Sequence, residues 1–242
     1  MPVGPHTPLR SSLARSYPRT FLSIYTTVGF AIAAGCTWAF FAIADEFPEH
    51  GWLARSDVFV ANWLQQHGTE TGEVVFRAIS YLGGAGLTAL VLAASLSMAW
   101  RRDWRLLVAL AITCGGAALL NGALKEEFRR ARPSFASAFT LSSWSFPSAH
   151  AMNSLVTYGF LAAWLIALRP SVRTPAIVTT VVLVVAIGFA RIYLGVHYLS
   201  DVLAGYSAGM VWLIVCTGGL RFILESRLEN SDNNRDRLSS SR

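Results

Sequence analysis

Hydrophobic positions along this chain come mostly in long unbroken blocks. Six stretches contain no charged residue: 21–44, 78–100, 106–124, 151–168, 174–190 and 202–220. A helix needs roughly 20 apolar residues to cross about 30 Å of hydrocarbon, so each block predicts one membrane-spanning helix. The fifth opens on Thr174-Pro175, and proline is tolerated at a helix start because its missing N–H would be unpaired there. One segment between the blocks has a different pattern. Trp52, Leu53, Phe59, Val60, Trp63 and Leu64 recur at helical spacing, while Ser56, Asp57, Asn62 and Gln65 fill much of the other face. This predicts a short amphipathic helix, lying in the membrane interface or packed on the outer rim of the bundle. The expected fold class is therefore all-α, a six-transmembrane-helix bundle with a short interfacial helix between the first two spans.

Composition points the same way. Of the 242 residues, 53% are hydrophobic and 14% charged, against about 25% charged in an ordinary soluble domain. Disorder of the whole chain is excluded by the same apolar content. Cys36, Cys114 and Cys216 each fall inside a block and suit neither a disulfide framework nor a clustered zinc site. The expected organisation is a cytoplasmic N-terminal segment over 1–20, one membrane domain over 21–224, and a polar Ser/Asn/Arg-rich tail over 225–242, expected to be disordered. The Arg-bearing N-terminus leads straight into a long apolar run and reads as an uncleaved signal anchor.

The formal net charge of +6 then becomes a topology signal. Six spans put both termini on one side, and that side carries 13 of the 20 basic residues. The positive-inside rule makes it cytoplasmic, and nucleic acid is not an expected partner. The remaining seven are Arg55, Arg77, Lys125, Arg129, Arg130, Arg132 and Arg191.

Candidate chemistry concentrates on that second side. The end of the third block, the start of the fourth, the end of the fifth and the start of the sixth share one face by parity of the spans alone. Lys125 and Arg132, then Ser148 and His150, then Arg191, His197 and Asp201 stand at those ends, so they can converge. His197 and Asp201 are spaced i, i+4. A carboxylate there can fix one imidazole nitrogen and leave the other basic. Pro147-Ser148 marks a helix start, where free backbone N–H groups bind phosphate; Ser148 is a candidate N-cap. His150 can protonate a leaving oxygen, and Arg132 and Arg191 offer guanidinium forks for phosphoryl oxygens. Lys125 is the only lysine among the basic residues, which suits a compact point charge. Two histidines and an aspartate can also hold a metal, but the accompanying cations would repel one, and no metal is expected. Glu126, Glu127, Arg129 and Arg130 read as solvated rim charge.

In order, spacing and placement, Lys125-x6-Arg132-Pro133, Pro147-Ser148-Ala149-His150 and Arg191-x5-His197-x3-Asp201 resemble the three-part signature of the type 2 phosphatidic acid phosphatase (PAP2) superfamily. Its bacterial membrane branch includes phosphatidylglycerophosphate, undecaprenyl pyrophosphate and lipid A phosphatases. The resemblance implies a metal-independent, cofactor-free lipid phosphatase. His197 would be the nucleophile that forms a phosphohistidine, Asp201 would orient it, and His150 would act as acid and then base. Lys125, Arg132, Arg191, Ser148 and the Ala149 N–H would hold the phosphate. Two positions depart from the pattern: Ala149 stands where the family has Gly, and Ala190 where it has Ser. The expected substrate is a membrane lipid phosphate or diphosphate whose tail stays in the bilayer, met at the exterior face of the plasma membrane. A lipid phosphotransferase using the same histidine and a non-catalytic lipid-phosphate binder or transporter are the alternatives.

Overall fold

The structure, a computed structural model, describes residues 19–46, 51–133 and 143–218. The segment before residue 19 and the tail expected over 225–242 lie outside the described residues. With them lie Arg10, Arg15 and the five arginines from Arg221 to Arg242 that weigh in the sidedness argument.

The helices in chain order are α1 (Arg19–Glu46), α2 (Trp52–His67), α3 (Glu70–Tyr81), α4 (Ala85–Trp100), α5 (Trp104–Phe128), α6 (Ala149–Leu168) and α7 (Arg173–Tyr193), with a 3₁₀ turn over Pro170–Val172 before α7. The last is α8 (Leu199–Gly218). There is no strand among the described residues. Six helical segments are long and apolar enough to cross a membrane, with α3 and α4 together making the second. The outward side chains fit such a setting. Phe30, Trp38, Leu119 and Trp100 are 75–90% exposed, a liability in water that a bilayer removes.

The second span begins earlier than its charge-free block. It runs over Glu70–Trp100, because Thr69 caps α3 by accepting from Gly72 N–H at 3.0 Å and Glu73 pairs with Arg77 one turn on. Charges end the apolar block but do not end the helix. At residues 82–84 a turn separates α3 from α4.

One face of α2 packs against the bundle. Leu64 packs with Ala151, Ile192 and Val202. The buried stripe is Leu53, Asp57, Ala61 and Leu64, while Trp52, Phe59 and Trp63 face outward. The expectation for Asp57 is thus corrected: it is 1% exposed and turned into the protein. The reason is a partner remote in sequence, Arg130, whose guanidinium donates to the buried carboxylate.

Two features hold the site end of the bundle together. Phe146 is fully buried with Phe40, Ala117, Met152 and Ala204, its ring 5.5 Å from Phe40 and 5.2 Å from Phe128. Burying such a ring is worth about 1.5–3 kcal/mol, and it pins the segment leading into α6. Gly205 lets α8 approach α6, since a Cβ there would sit 2.7 Å from the Ser148 carbonyl oxygen.

Candidate active site

Four helix ends deliver the expected residues to one place. Lys125 lies in the last turn of α5. Arg129 follows in the left-handed conformation (φ 42°), its N–H donating to the Lys125 carbonyl. This turns the chain back across the bundle end, so that Arg130 and Arg132 lie over the start of α8. His150 is in the first turn of α6 and Arg191 in the last turn of α7. His150 lies within electrostatic range of Arg191, His197, Arg132 and Lys125.

His197 itself precedes α8 rather than riding on it. It sits in the tight turn after α7, where Gly195 takes φ 66°, a conformation that favours glycine. Asp201 is in the first turn of α8, and its Oδ2 lies 3.4 Å from His197 Nδ1. The i, i+4 spacing brings the pair together, but across a turn-to-helix junction rather than along a helix face. Asp201 Oδ2 also accepts from Tyr198 N–H at 2.9 Å and from Ser145 Oγ. With Nδ1 held by the carboxylate, Nε2 faces Arg132 Nη1 at 3.3 Å. Burial pushes the His197 imidazole down to about 4, against the opposing pull of Asp201, so its resting form near pH 7 is neutral. Burial also lowers the Arg132 guanidinium from its ordinary value.

Two of the cations are pre-placed by backbone oxygens and the third by a hydroxyl. Arg132 donates to Val196 O at 2.7 Å and Ser143 O at 2.9 Å, and Lys125 donates to the Trp144 and Ser145 carbonyls. Arg191 Nη1 donates to Ser80 Oγ at 2.7 Å. Four buried side-chain polar atoms have no hydrogen-bond partner among the described residues: Glu46 Oε2, Ser148 Oγ, Asn153 Oδ1 and Arg191 Nε. A buried unpaired donor costs about 1–3 kcal/mol. Two of the four belong to residues placed by sequence on the phosphate. Ser148 does occupy the N-cap position of α6, but its hydroxyl makes no cap bond; its N–H instead donates to the Asp201 carbonyl at 2.9 Å.

A family model, the PAP2 superfamily, matches residues 102–222, half of the chain and all three clusters. The chain belongs to the PAP2 superfamily.

Among the relatives of this PAP2 protein is phosphatidylglycerophosphatase B of Bacillus subtilis, 34% identical over 149 residues, which are 60% of this chain and 73% of the relative. Decaprenylphosphoryl-5-phosphoribose phosphatase of Mycolicibacterium smegmatis is 38% identical over 136 residues, 53% of this chain and 68% of that protein. The fold matches the crystal structure of the transmembrane PAP2 type phosphatidylglycerolphosphate phosphatase from Bacillus subtilis, with a TM-score of 0.71, 29% identity, and 79% and 96% of the two chains covered. Aquifex aeolicus LpxE shares the fold at a TM-score of 0.50 and 22% identity, over 67% of this chain and 94% of that one. The protein is an integral membrane protein of a lipid phosphatase family.

The two departures from the PAP2 pattern are sterically quiet. Ala149 is the first residue of α6, and the positive-φ non-glycine residues among the described ones are Arg102 and Arg129, so its methyl group meets no left-handed backbone. Ala190 is fully buried in α7.

Several residues that contact the PAP2 site are missing from the motif. Ser80 holds Arg191, and Ser145 touches both His197 and Asp201. Arg130, expected as rim charge, is instead 11% exposed and paired with Asp57 and Asp201. Gly83 and Gly84, in the turn between α3 and α4, leave room for His150. A Cβ on Gly84 would lie 2.9 Å from His150 Nε2. Gly84→Ala is therefore expected to displace the imidazole and lower kcat by about 10²-fold, the scale of a 1 Å misplacement. Gly115→Ala, where a Cβ meets nothing within 4 Å, should leave kcat unchanged. Steady-state phosphate release by the two variants checks this.

Proposed function

We propose that this protein hydrolyses a membrane lipid phosphate or diphosphate through a phosphohistidine on His197. In this scheme Nε2 of His197 attacks phosphorus, the N–P bond forms, and the P–O bond to the leaving group breaks. His150 gives the leaving oxygen its proton. A water then loses a proton to His150 and attacks phosphorus, the N–P bond breaks, and phosphate leaves. Lys125, Arg132 and Arg191, with Ser148 Oγ and the Ala149 N–H, hold the oxygens on which charge spreads in the transition state. Three side-chain cations supply that charge, so the scheme uses no metal ion or cofactor.

One observation carries the reading. An imidazole oriented by a buried carboxylate presents its other nitrogen, Nε2, to Arg132, while Ser148 Oγ and Arg191 Nε stay buried without partners among the described residues. A phosphoryl group offers the acceptors that these donors lack. The site's place at one end of the spans suits a substrate whose tail remains in the bilayer. The 13-to-7 division of basic residues supports cytoplasmic termini and an exterior-facing site. The Bacillus relative's name specifies phosphatidylglycerophosphate and the Mycolicibacterium relative's a polyprenyl phosphosugar, so both lipid classes belong among the substrates tried.

The experiment is a phosphate-release panel on purified full-length protein in detergent with EDTA. Phosphatidylglycerophosphate, phosphatidic acid, undecaprenyl pyrophosphate, decaprenylphosphoryl-5-phosphoribose and lipid A are the substrates. Release from at least one of them is expected. A strict need for added divalent metal would overturn the metal-free chemistry. Lipid binding without turnover would make the protein a binder, and transfer of label to an added hydroxyl acceptor would make it a phosphotransferase.

A further inference from the structure

Behind the phosphate site lies a second buried charge cluster, made of residues outside the three motifs together with the far side of Asp201. Arg130 sends Nη1 to Asp201 Oδ1 at 2.6 Å and Nη2 to Asp57 Oδ2 at 2.8 Å. The side chains of Asp57 and Asp201 are 1% and 0% exposed. Ser200 ties the same carboxylate in, its N–H donating to Asp57 Oδ1 at 2.9 Å and its Oγ to Oδ2. Arg130 also donates to Ser200 Oγ at 2.7 Å and lies 4.4 Å over the Tyr198 ring.

Burying three charges is costly and adds little net stability even when they are paired, which makes a purely structural account of them weak. Their geometry suggests a different use. Asp201 has two oxygens with separate duties: Oδ2 faces His197 Nδ1, and Oδ1 takes the Arg130 fork. With Oδ1 held, the carboxylate cannot rotate away from the imidazole. The other prong of the guanidinium is held by α2, a helix that carries no motif residue. A lysine cannot do this as well, since it lacks the planar fork that bridges two carboxylates.

We infer that Asp57 and Arg130 are positioning residues for the nucleophile: α2 anchors the guanidinium, the guanidinium fixes Asp201, and Asp201 aims His197 Nε2 at the substrate. The inference rests on the phosphatase reading and deepens it at the same site. It also has an electrostatic side. The charged and titratable groups facing His197 and Asp201 are Arg130 and Arg132 from the α5–α6 connection, Lys125 from α5, His150 from α6 and Arg191 from α7, with Tyr198 alongside and Asp57 behind Arg130. Removing Arg130 leaves Asp201 unneutralised, which stabilises the His197 imidazolium. Removing the Asp57 charge does the opposite, because Arg130 then acts more fully on Asp201.

The test compares Arg130→Gln, Arg130→Lys and Asp57→Asn with wild type in the full-length protein. The measurements are kcat, KM, the acid limb of kcat/KM and the thermal unfolding midpoint, with His197→Ala as the blank. Arg130→Gln is expected to lower kcat by about 10- to 100-fold, to leave KM within about twofold because no phosphate contact is lost, and to move the acid limb to higher pH. Asp57→Asn moves the limb to lower pH with a smaller loss of kcat. Arg130→Lys restores the limb but not the full kcat. Opposite shifts of the limb cannot come from general loosening of the fold. Wild-type kcat in Arg130→Gln, or rate losses that follow the folded fraction with an unmoved limb, would overturn the inference while leaving the phosphatase reading intact. Phosphate release by wild type that is unaffected by His197→Ala would overturn the phosphatase reading itself, and the inference with it.

Discussion

His197→Ala is expected to abolish turnover, lowering kcat by at least about 10³-fold, while the bundle stays folded. No other imidazole lies in that turn, and the reaction as proposed has no route around the N–P bond. The fold survives because the turn is held by its backbone. Val196 N–H donates to Arg191 O at 3.2 Å and Gly195 N–H to Ile192 O at 2.9 Å, while Leu194 and Val196 pack on Phe76. Asp201 loses its imidazole partner but keeps Arg130, Ser145 and the Tyr198 N–H. Rapid-quench labelling with radioactive lipid phosphate reads the outcome directly. Wild type should accumulate acid-labile label on the protein and the variant should not. Undiminished phosphate release by the variant would show that another group attacks phosphorus.

Asp201→Asn is next in size, with kcat down by about 10²- to 10⁴-fold. The nearest chemical analogy is the aspartate of a Ser-His-Asp triad, where the amide leaves the geometry but fixes the wrong tautomer, at a cost of about 10⁴. Here the acceptor demand is heavier. Four donors meet the Asp201 carboxylate: Arg130 Nη1, Ser145 Oγ, the Tyr198 N–H and His197 Nδ1. An amide offers one acceptor oxygen and turns its NH₂ toward one of those donors. It also leaves Arg130 with a single carboxylate, and breaking a buried pair costs about 3–5 kcal/mol. The variant should therefore unfold at lower temperature as well as turn over slowly. Activity per folded molecule, from kcat alongside a thermal melt, separates the two effects. If the rate per folded molecule matched wild type, Asp201 would be a structural residue alone.

Much of the protein could be read from its residues in order. Blocks free of charge are a local property, because a helix crossing lipid must satisfy its own backbone and expose apolar side chains along its whole length. The six spans and the shared end of Lys125, Arg132, His150, Arg191, His197 and Asp201 followed from that and from parity. The motif residues were legible because each cluster is compact in sequence. Helix boundaries were less so, since α3 continues through Glu70, Glu73 and Arg77 once Thr69 caps it.

What required the folded molecule were the pairings across long separations. Asp57 and Arg130 are 73 residues apart, Ser80 and Arg191 are 111 apart, and Gly84 meets His150 from another span. By itself the sequence determined which segments are apolar enough to cross the membrane, which end of the bundle gathers the motif residues and which family the chain belongs to. Those are settled by hydropathy and short-range spacing. Tertiary structure alone decided that Asp57 faces inward, that Arg130 pairs with Asp57 and Asp201 and that His150 lies against glycines. A charge is buried only where a specific partner waits, and periodicity along one helix cannot show what another helix brings to meet it.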